Sequence, residues 1–237
     1  MLTNSESTGL RGYAICTQPR SGSNLLSQYL ASTDCLGYPL EYFNTPGRRA
    51  LGIPDFPDEP RKQIEYILRH GATPNGVYGV KLFSFQHDLI APTVRWTEAL
   101  PQLRFVYLDR KDLLGQAISW TRATQANQYR STQPVQAAVS YDGRMILNNL
   151  LALIHERSRW EGYFARTGIA PLRISYEYLV ADPQTHVNRL AQIVEVDGPV
   201  IIDPARVDLS IQRDSLSEEW RRRFHEEFGN ADVIHMS

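Results

Sequence analysis

The sequence predicts a single α/β domain, a central parallel sheet flanked by helices in a P-loop-like arrangement. Three observations carry that prediction. Short apolar, β-prone runs alternate along the chain with segments whose apolar residues recur at helical spacing, the pattern of a parallel sheet covered on both faces. The first strand passes through a turn of small and basic residues straight into a helix. The length, 237 residues, suits one sizeable domain, which we place at residues 11–237 behind a polar, flexible stretch at 1–10.

The elements follow in order. Gly12 to Cys16 reads as a buried strand, with Cys16 a small buried hydrophobe. Leu25, Leu26, Tyr29 and Leu30 share one face of a helix from Asn24 to Leu30. Residues 45–60, with Pro46, Pro54, Pro57, Pro60, Gly47 and Gly52, read as a long irregular loop of the kind that forms lids or substrate walls. A helix is expected over Arg61–His70, a Pro74-Asn-Gly turn next, then a strand over Val77–Phe85. Leu89–Ala99 reads as a helix, Arg104–Leu108 as the third strand, and Leu113–Gln125 as a helix. A long core helix is expected over Tyr141–Arg166 and a fourth strand over Pro171–Tyr176. Asp182 is placed to cap a helix to Val194 with Pro183 at its first position. A polar loop and a helix bearing Trp220 and Phe224 close the chain.

Composition excludes several classes. Basic and acidic residues nearly cancel, for a formal net charge of -1, so bulk charge gives no support for nucleic-acid binding. Two cysteines make neither a disulfide framework nor a metal cluster, and no histidine has metal-ligand spacing. No basic, apolar leader opens the sequence and no window is long enough for a transmembrane helix. The expected location is the cytoplasm.

The turn after the first strand, Arg20-Ser-Gly-Ser23, is small, hydroxylic and basic. A turn of this kind aims free backbone N–H groups and the positive end of a helix dipole at one point, which suits a phosphate or sulfate. Arg20 adds a planar donor fork. The Gly-Lys-Ser/Thr ending of a Walker A loop is absent, which argues against magnesium-dependent NTP hydrolysis. Three further candidates stand out. Arg110 lies just past the third strand, at the edge where open parallel sheets bind ligands, with Ser119 on the next helix. Glu41 lies in an aromatic segment, and a carboxylate walled by Tyr42 and Phe43 is expected to have a raised pKa and act as a base near neutrality. Lys81 interrupts an apolar strand, where an ammonium must be paired or stand at the strand's mouth. His87 is kept as an alternative base, and Arg221 to Arg223 read as a solvated basic face.

Several of these segments also carry a family resemblance. Gln18-Pro-Arg-Ser-Gly-Ser-Asn-Leu-Leu26 resembles the 5'-phosphosulfate loop of sulfotransferases that use 3'-phosphoadenosine 5'-phosphosulfate (PAPS), in particular the bacterial trehalose 2-sulfotransferase family. Tyr38-Pro-Leu-Glu-Tyr-Phe-Asn44 is similar to that family's Pro-Gln-Glu-Phe/Tyr-Phe motif, Tyr78-Gly-Val-Lys81 to its Gly-Gly-Lys-Leu, and Gln116-Ala-Ile-Ser-Trp120 to its Gln-Ala-Val-Ser-Phe/Trp. Ser175-Tyr-Glu-Tyr-Leu-Val-Ala-Asp-Pro183 resembles a shared structural segment, and Ile211 to Trp220 a Gln-containing one. The resemblance runs from Gln18 to Trp220.

The resemblance implies a sulfuryl transfer from PAPS to a hydroxyl of a carbohydrate or glycolipid, without a metal. Arg20, Ser21, Gly22, Ser23, Asn24 and Leu25 would hold the 5'-phosphosulfate, Arg110 and Ser119 the 3'-phosphate, with Gln212 or Arg213 closing over the nucleotide. Glu41 would be the base, with Arg20 and Lys81 stabilising developing charge. Gln18, Tyr38, Pro39, Tyr42, Phe43 and Asn44 would face the acceptor, and a homodimer is implied. Two rival functions are a phosphotransferase or NTPase on the same loop, and a silent protein that binds PAP, the 3',5'-bisphosphate product.

Overall fold

The structure, a computed structural model, describes residues 9–128, 137–208 and 215–234. Strand β1 (Arg11–Thr17) leads into helix α1 (Ser23–Ser32). Helices α2 (Thr45–Ala50) and α3 (Pro60–His70) precede β2 (Val77–Phe83), which α4 (Ser84–Ile90) and the short α5 (Trp96–Ala99) follow. Strand β3 (Leu103–Asp109) feeds α6 (Leu113–Gln125), and the 25-residue α7 (Gly143–Thr167) returns to β4 (Leu172–Ser175). Helices α8 (Tyr176–Ala181) and α9 (Pro183–Ile193), a 3-10 turn at Pro204–Arg206, and α10 (Ser215–Phe228) complete the order.

Among the described residues the strands form one parallel sheet in the order β2-β1-β3-β4. β1 is central and buried on both faces. Ala14 and Cys16 pack with Tyr78, Val80, Trp96 and Trp160 on one side, while Tyr13 and Ile15 pack with Leu26, Leu30, Val106 and Leu190 on the other. Two-faced burial explains why this strand reads as a continuous apolar run rather than an alternation. A third cluster joins α6, α7 and α10 through Ile118, Ile146, Trp220 and Phe224. The chain steps from β1 outward to β2, then crosses back to place β3 on the other side of β1. That reversal puts a crevice outside the carboxyl ends of β1 and β3.

Three expectations needed correction. The stretch 45–60 is not all loop. Asn44 accepts the Gly47 N–H at 3.1 Å and caps α2, with Pro46 in the first turn where its missing N–H costs nothing. The second strand stops at Phe83, whose N–H is taken by the Gln86 side chain at 2.9 Å, and α4 begins there. Leu89–Ala99 is therefore two helices, broken around Pro92, which cannot donate in a helix interior. Residues 1–8 of the expected flexible stretch lie outside the described residues.

Candidate functional site

The turn between β1 and α1 is shaped for a ligand rather than for its own satisfaction. Arg20 and Gly22 both have positive φ, 61° and 89°. Helix α1 starts without a side-chain cap and without an acidic residue in its first turn. Its leading N–H groups and positive dipole end are thus left for an anion. A Cβ on Gly22 would lie 2.3 Å from the Tyr176 ring, so only glycine lets that ring cover the turn. Inside the turn, the Ser21 hydroxyl lies 2.6 Å from that of Thr17, which donates to the Leu108 carbonyl. Ser21 is fully buried. Its hydroxyl is spent on the turn.

The two candidate anion sites meet across the crevice. Arg20 Nε donates to Ser119 Oγ at 3.0 Å, and Gln116 Nε2 donates to the Pro19 carbonyl at 2.6 Å. Arg110 lies under the Tyr176 ring, 4.9 Å from its centroid, with one guanidinium nitrogen 3.7 Å from Asp112. Arg110 Nε and Gln116 Oε1 are buried without a hydrogen-bond partner. A buried orphan donor beside a ready-made anion site is the mark of a place that a ligand completes. The residues present therefore fit a ligand carrying phosphate-like groups.

On the other side of β1, Lys81 is 3% exposed and reaches two partners. It donates to Asn24 Oδ1 at 2.5 Å and pairs with Glu41 Oε1 at 3.1 Å. The Glu41 segment is held there by backbone pairing, since Lys81 N–H donates to the Leu40 carbonyl at 2.9 Å. Asn44 Nδ2 donates to Glu41 Oε2 at 3.0 Å. Burial pushes the Glu41 carboxyl up, but the Lys81 charge, hydrogen bonds from Asn44 and Lys81, and the Arg48 charge outweigh it and hold it below the ordinary glutamate value. The expected upward shift is thus reversed. The sequence shows the aromatic neighbours and hides the two cations.

The aromatic neighbours themselves point elsewhere. Tyr42 and Phe43 are 1% and 7% exposed and belong to the core, with Tyr42 Oη bonded to the Tyr38 carbonyl. Their rings are packed into the core rather than exposed as open stacking faces. Pro39 is buried. Gln18 is buried too, donating to Tyr107 Oη at 3.0 Å. Tyr38, half-buried, and Asn44 remain near Glu41. His87 is packed edge-on against Trp96, Trp160 and Tyr163. Gln212 and Arg213 lie outside the described residues.

Some site residues escaped the sequence reading. Arg48 is 5% exposed on α2, and an Asn-Thr-Pro capping signal at Asn44 would have located that helix. Tyr176, read as structural, covers both Gly22 and Arg110. Arg221, read as solvated, donates to Asp112 at 2.7 Å, the carboxylate that also faces Arg110. Arg222 and Arg223 do lie on an exposed face, paired with Glu226 and Glu219. No helix among the described residues is long and apolar enough to cross a membrane.

A parallel sheet with an uncapped helix start and a second basic strand end at its switch point defines a P-loop-like α/β protein built around an anionic ligand. Residues 12–227 match the Stf0 sulphotransferase family, and the chain belongs to that family. It is a sulfotransferase. The chain is 26% identical over 261 residues to the trehalose 2-sulfotransferase of Mycobacterium tuberculosis, covering 93% of this chain and 97% of that one. It is 25% identical over 252 residues to the trehalose 2-sulfotransferase of Mycolicibacterium smegmatis, covering 90% and 93%. In fold it is similar to a sulfotransferase from Alicyclobacillus acidocaldarius, with TM-score 0.51, 15% identity and coverage of 92% and 93%.

Proposed function

We propose that this sulfotransferase uses PAPS as donor and a hydroxyl of a carbohydrate or glycolipid as acceptor, with Glu41 as general base. The observation that carries the reading is the chain Asn24–Lys81–Glu41, in steps of 2.5 and 3.1 Å. It ties the anion-binding turn to a carboxylate and sets a base beside the site where a sulfuryl group would be held. PAPS, when bound, supplies a sulfuryl group on a phosphate leaving group. Arg20, Gly22 and the first N–H groups of α1 would bind its 5' end, and Arg110 with Ser119 its 3'-phosphate. Glu41 would take the acceptor proton as the hydroxyl oxygen attacks sulfur and the sulfur–phosphate oxygen bond breaks. Lys81 and Arg20 place positive charge where negative charge grows on the departing oxygen. The trehalose-acting relatives support a sugar acceptor.

Two measurements test this. PAP at about 100 times its Kd should stabilise the protein by about 2.7 kcal/mol, read as a rise in melting temperature. AMP should give no such shift and ADP a weak one. A response to magnesium-ATP alone would instead make it a phosphoryl-transfer protein. Glu41→Gln should lower turnover by roughly 10²–10⁴-fold with the PAP shift intact. Near-normal turnover removes Glu41 as the base.

A further inference from the structure

Asn44 does two things with one side chain. Its Oδ1 accepts the Gly47 N–H at 3.1 Å and starts α2, while its Nδ2 donates to Glu41 Oε2 at 3.0 Å. The Asn44 N–H also returns to the Glu41 carbonyl at 3.2 Å, closing a tight turn around the pair. The other carboxylate oxygen, Oε1, belongs to Lys81. Both oxygens are therefore held, from opposite sides, by donors anchored on different elements. The charged groups facing Glu41 are Lys81 from β2 and Arg48 from α2, and α1 enters through Asn24, which fixes Lys81.

We propose that Asn44 is a positioning residue for the transfer reaction, holding the Glu41 carboxylate ionised and in one orientation, rather than a residue that binds the acceptor. An amide is suited to both tasks because it carries an acceptor and a donor on one planar group. No acid can do so while ionised, since a carboxylate only accepts. The inference rests on Glu41 being the base, but its geometric half can be measured without turnover.

Asn44→Asp and Asn44→Ser separate the two tasks. Aspartate and serine are both good helix caps, so α2 should persist in each. Asn44→Asp replaces the donor with a second negative charge about hydrogen-bond distance from Glu41, and Asn44→Ser shortens the side chain away from it. The sign is fixed by charge. Glu41, held low in the native protein, should titrate higher in Asn44→Ser and higher still in Asn44→Asp. The first readout is a carbon-13 titration of the Glu41 carboxyl, assigned by its loss in Glu41→Gln. The second is the acid limb of the pH dependence of kcat/KM, which should move up together with the carboxyl titration. At pH 7 the variants should lose kcat more than they raise the acceptor KM, with the PAP-induced melting shift unchanged.

An unmoved Glu41 resonance in Asn44→Asp overturns the inference. So does a variant that raises acceptor KM tenfold while kcat and the acid limb stay at native values, since that marks Asn44 as an acceptor contact. Failure of the wider reading looks different: Glu41→Gln would keep transferring, whatever the carboxyl titration showed.

Discussion

The turn at residues 17–24 and the segment at 38–58 flank the same crevice, yet they are built by opposite means. The first is organised by backbone. Its φ angles, the uncapped start of α1 and the burial of Ser21 all follow from small residues between a strand and a helix. The second is organised by side chains from elsewhere. Glu41 is defined by Lys81 forty residues on, and its aromatic neighbours are claimed by a core whose other members include residues of α3, β2 and α7. A site made of backbone keeps its meaning within a short window of sequence. A site made of long-range contacts does not.

The largest effect should come from breaking the long-range side. Lys81→Met leaves Glu41 without its ammonium partner in a mostly buried position. Removing one member of a buried pair costs about 3–5 kcal/mol, and the partial exposure of Glu41 puts this case near the lower end, at about 3 kcal/mol. Denaturant unfolding measures it. Adding Glu41→Gln to Lys81→Met should recover most of the loss, because the uncompensated charge is gone. If the double variant is as unstable as Lys81→Met alone, the two do not act as a pair.

That pairing marks how far sequence reading could go. The alternating elements, the central sheet and the small-residue turn at Arg20 to Ser23 between a strand and a helix were legible because each rests on local rules of periodicity, capping and turn chemistry. Leu113–Gln125 and the Asp182 cap came out as read for the same reason. The direction of the Glu41 shift was not legible. It depends on whether two cations lie near the carboxylate, and Arg48 arrives by way of a helix that four prolines disguised as a loop. The burial of Gln18, Tyr42 and Phe43 was hidden for a similar reason. A polar or aromatic residue in a motif gives no sign of which side of the backbone its side chain will take until neighbouring elements are in place.

Breaking the backbone-built side should cost less in stability and more in donor binding. At Gly22, alanine would sit at φ 89° with its Cβ 2.3 Å from the Tyr176 ring. Holding a non-glycine residue there costs about 1–3 kcal/mol. Because the strain falls on the turn and on the ring that covers Arg110, Gly22→Ala should weaken the PAP-induced melting shift along with stability. Gly168, whose added Cβ meets nothing within 4 Å, supplies the control. Gly168→Ala has only its left-handed φ of 70° to overcome and should leave the PAP shift intact. Equal PAP responses in the two variants would mean that Gly22 is an ordinary turn glycine.

The smallest effect separates the two readings of the aromatic segment. Tyr42 Oη donates to the Tyr38 carbonyl at 2.8 Å, and its ring lies 6.0 Å from that of Tyr66 within the core. Tyr42→Phe keeps the ring and removes one bond, so it should cost about 1 kcal/mol of stability. The acceptor KM and kcat should hardly move, because the ring does not reach the crevice. Tyr38→Phe touches the half-buried ring instead, and an acceptor contact through its hydroxyl would raise KM with little stability change. Sugar recognition by Tyr42 would invert this pattern, with KM rising in Tyr42→Phe at unchanged melting temperature. The acceptor would then reach a side chain that is 1% exposed, which requires the segment to open before it binds. A matched pair of KM and melting measurements on these two conservative variants thus decides whether the aromatic motif is core or site.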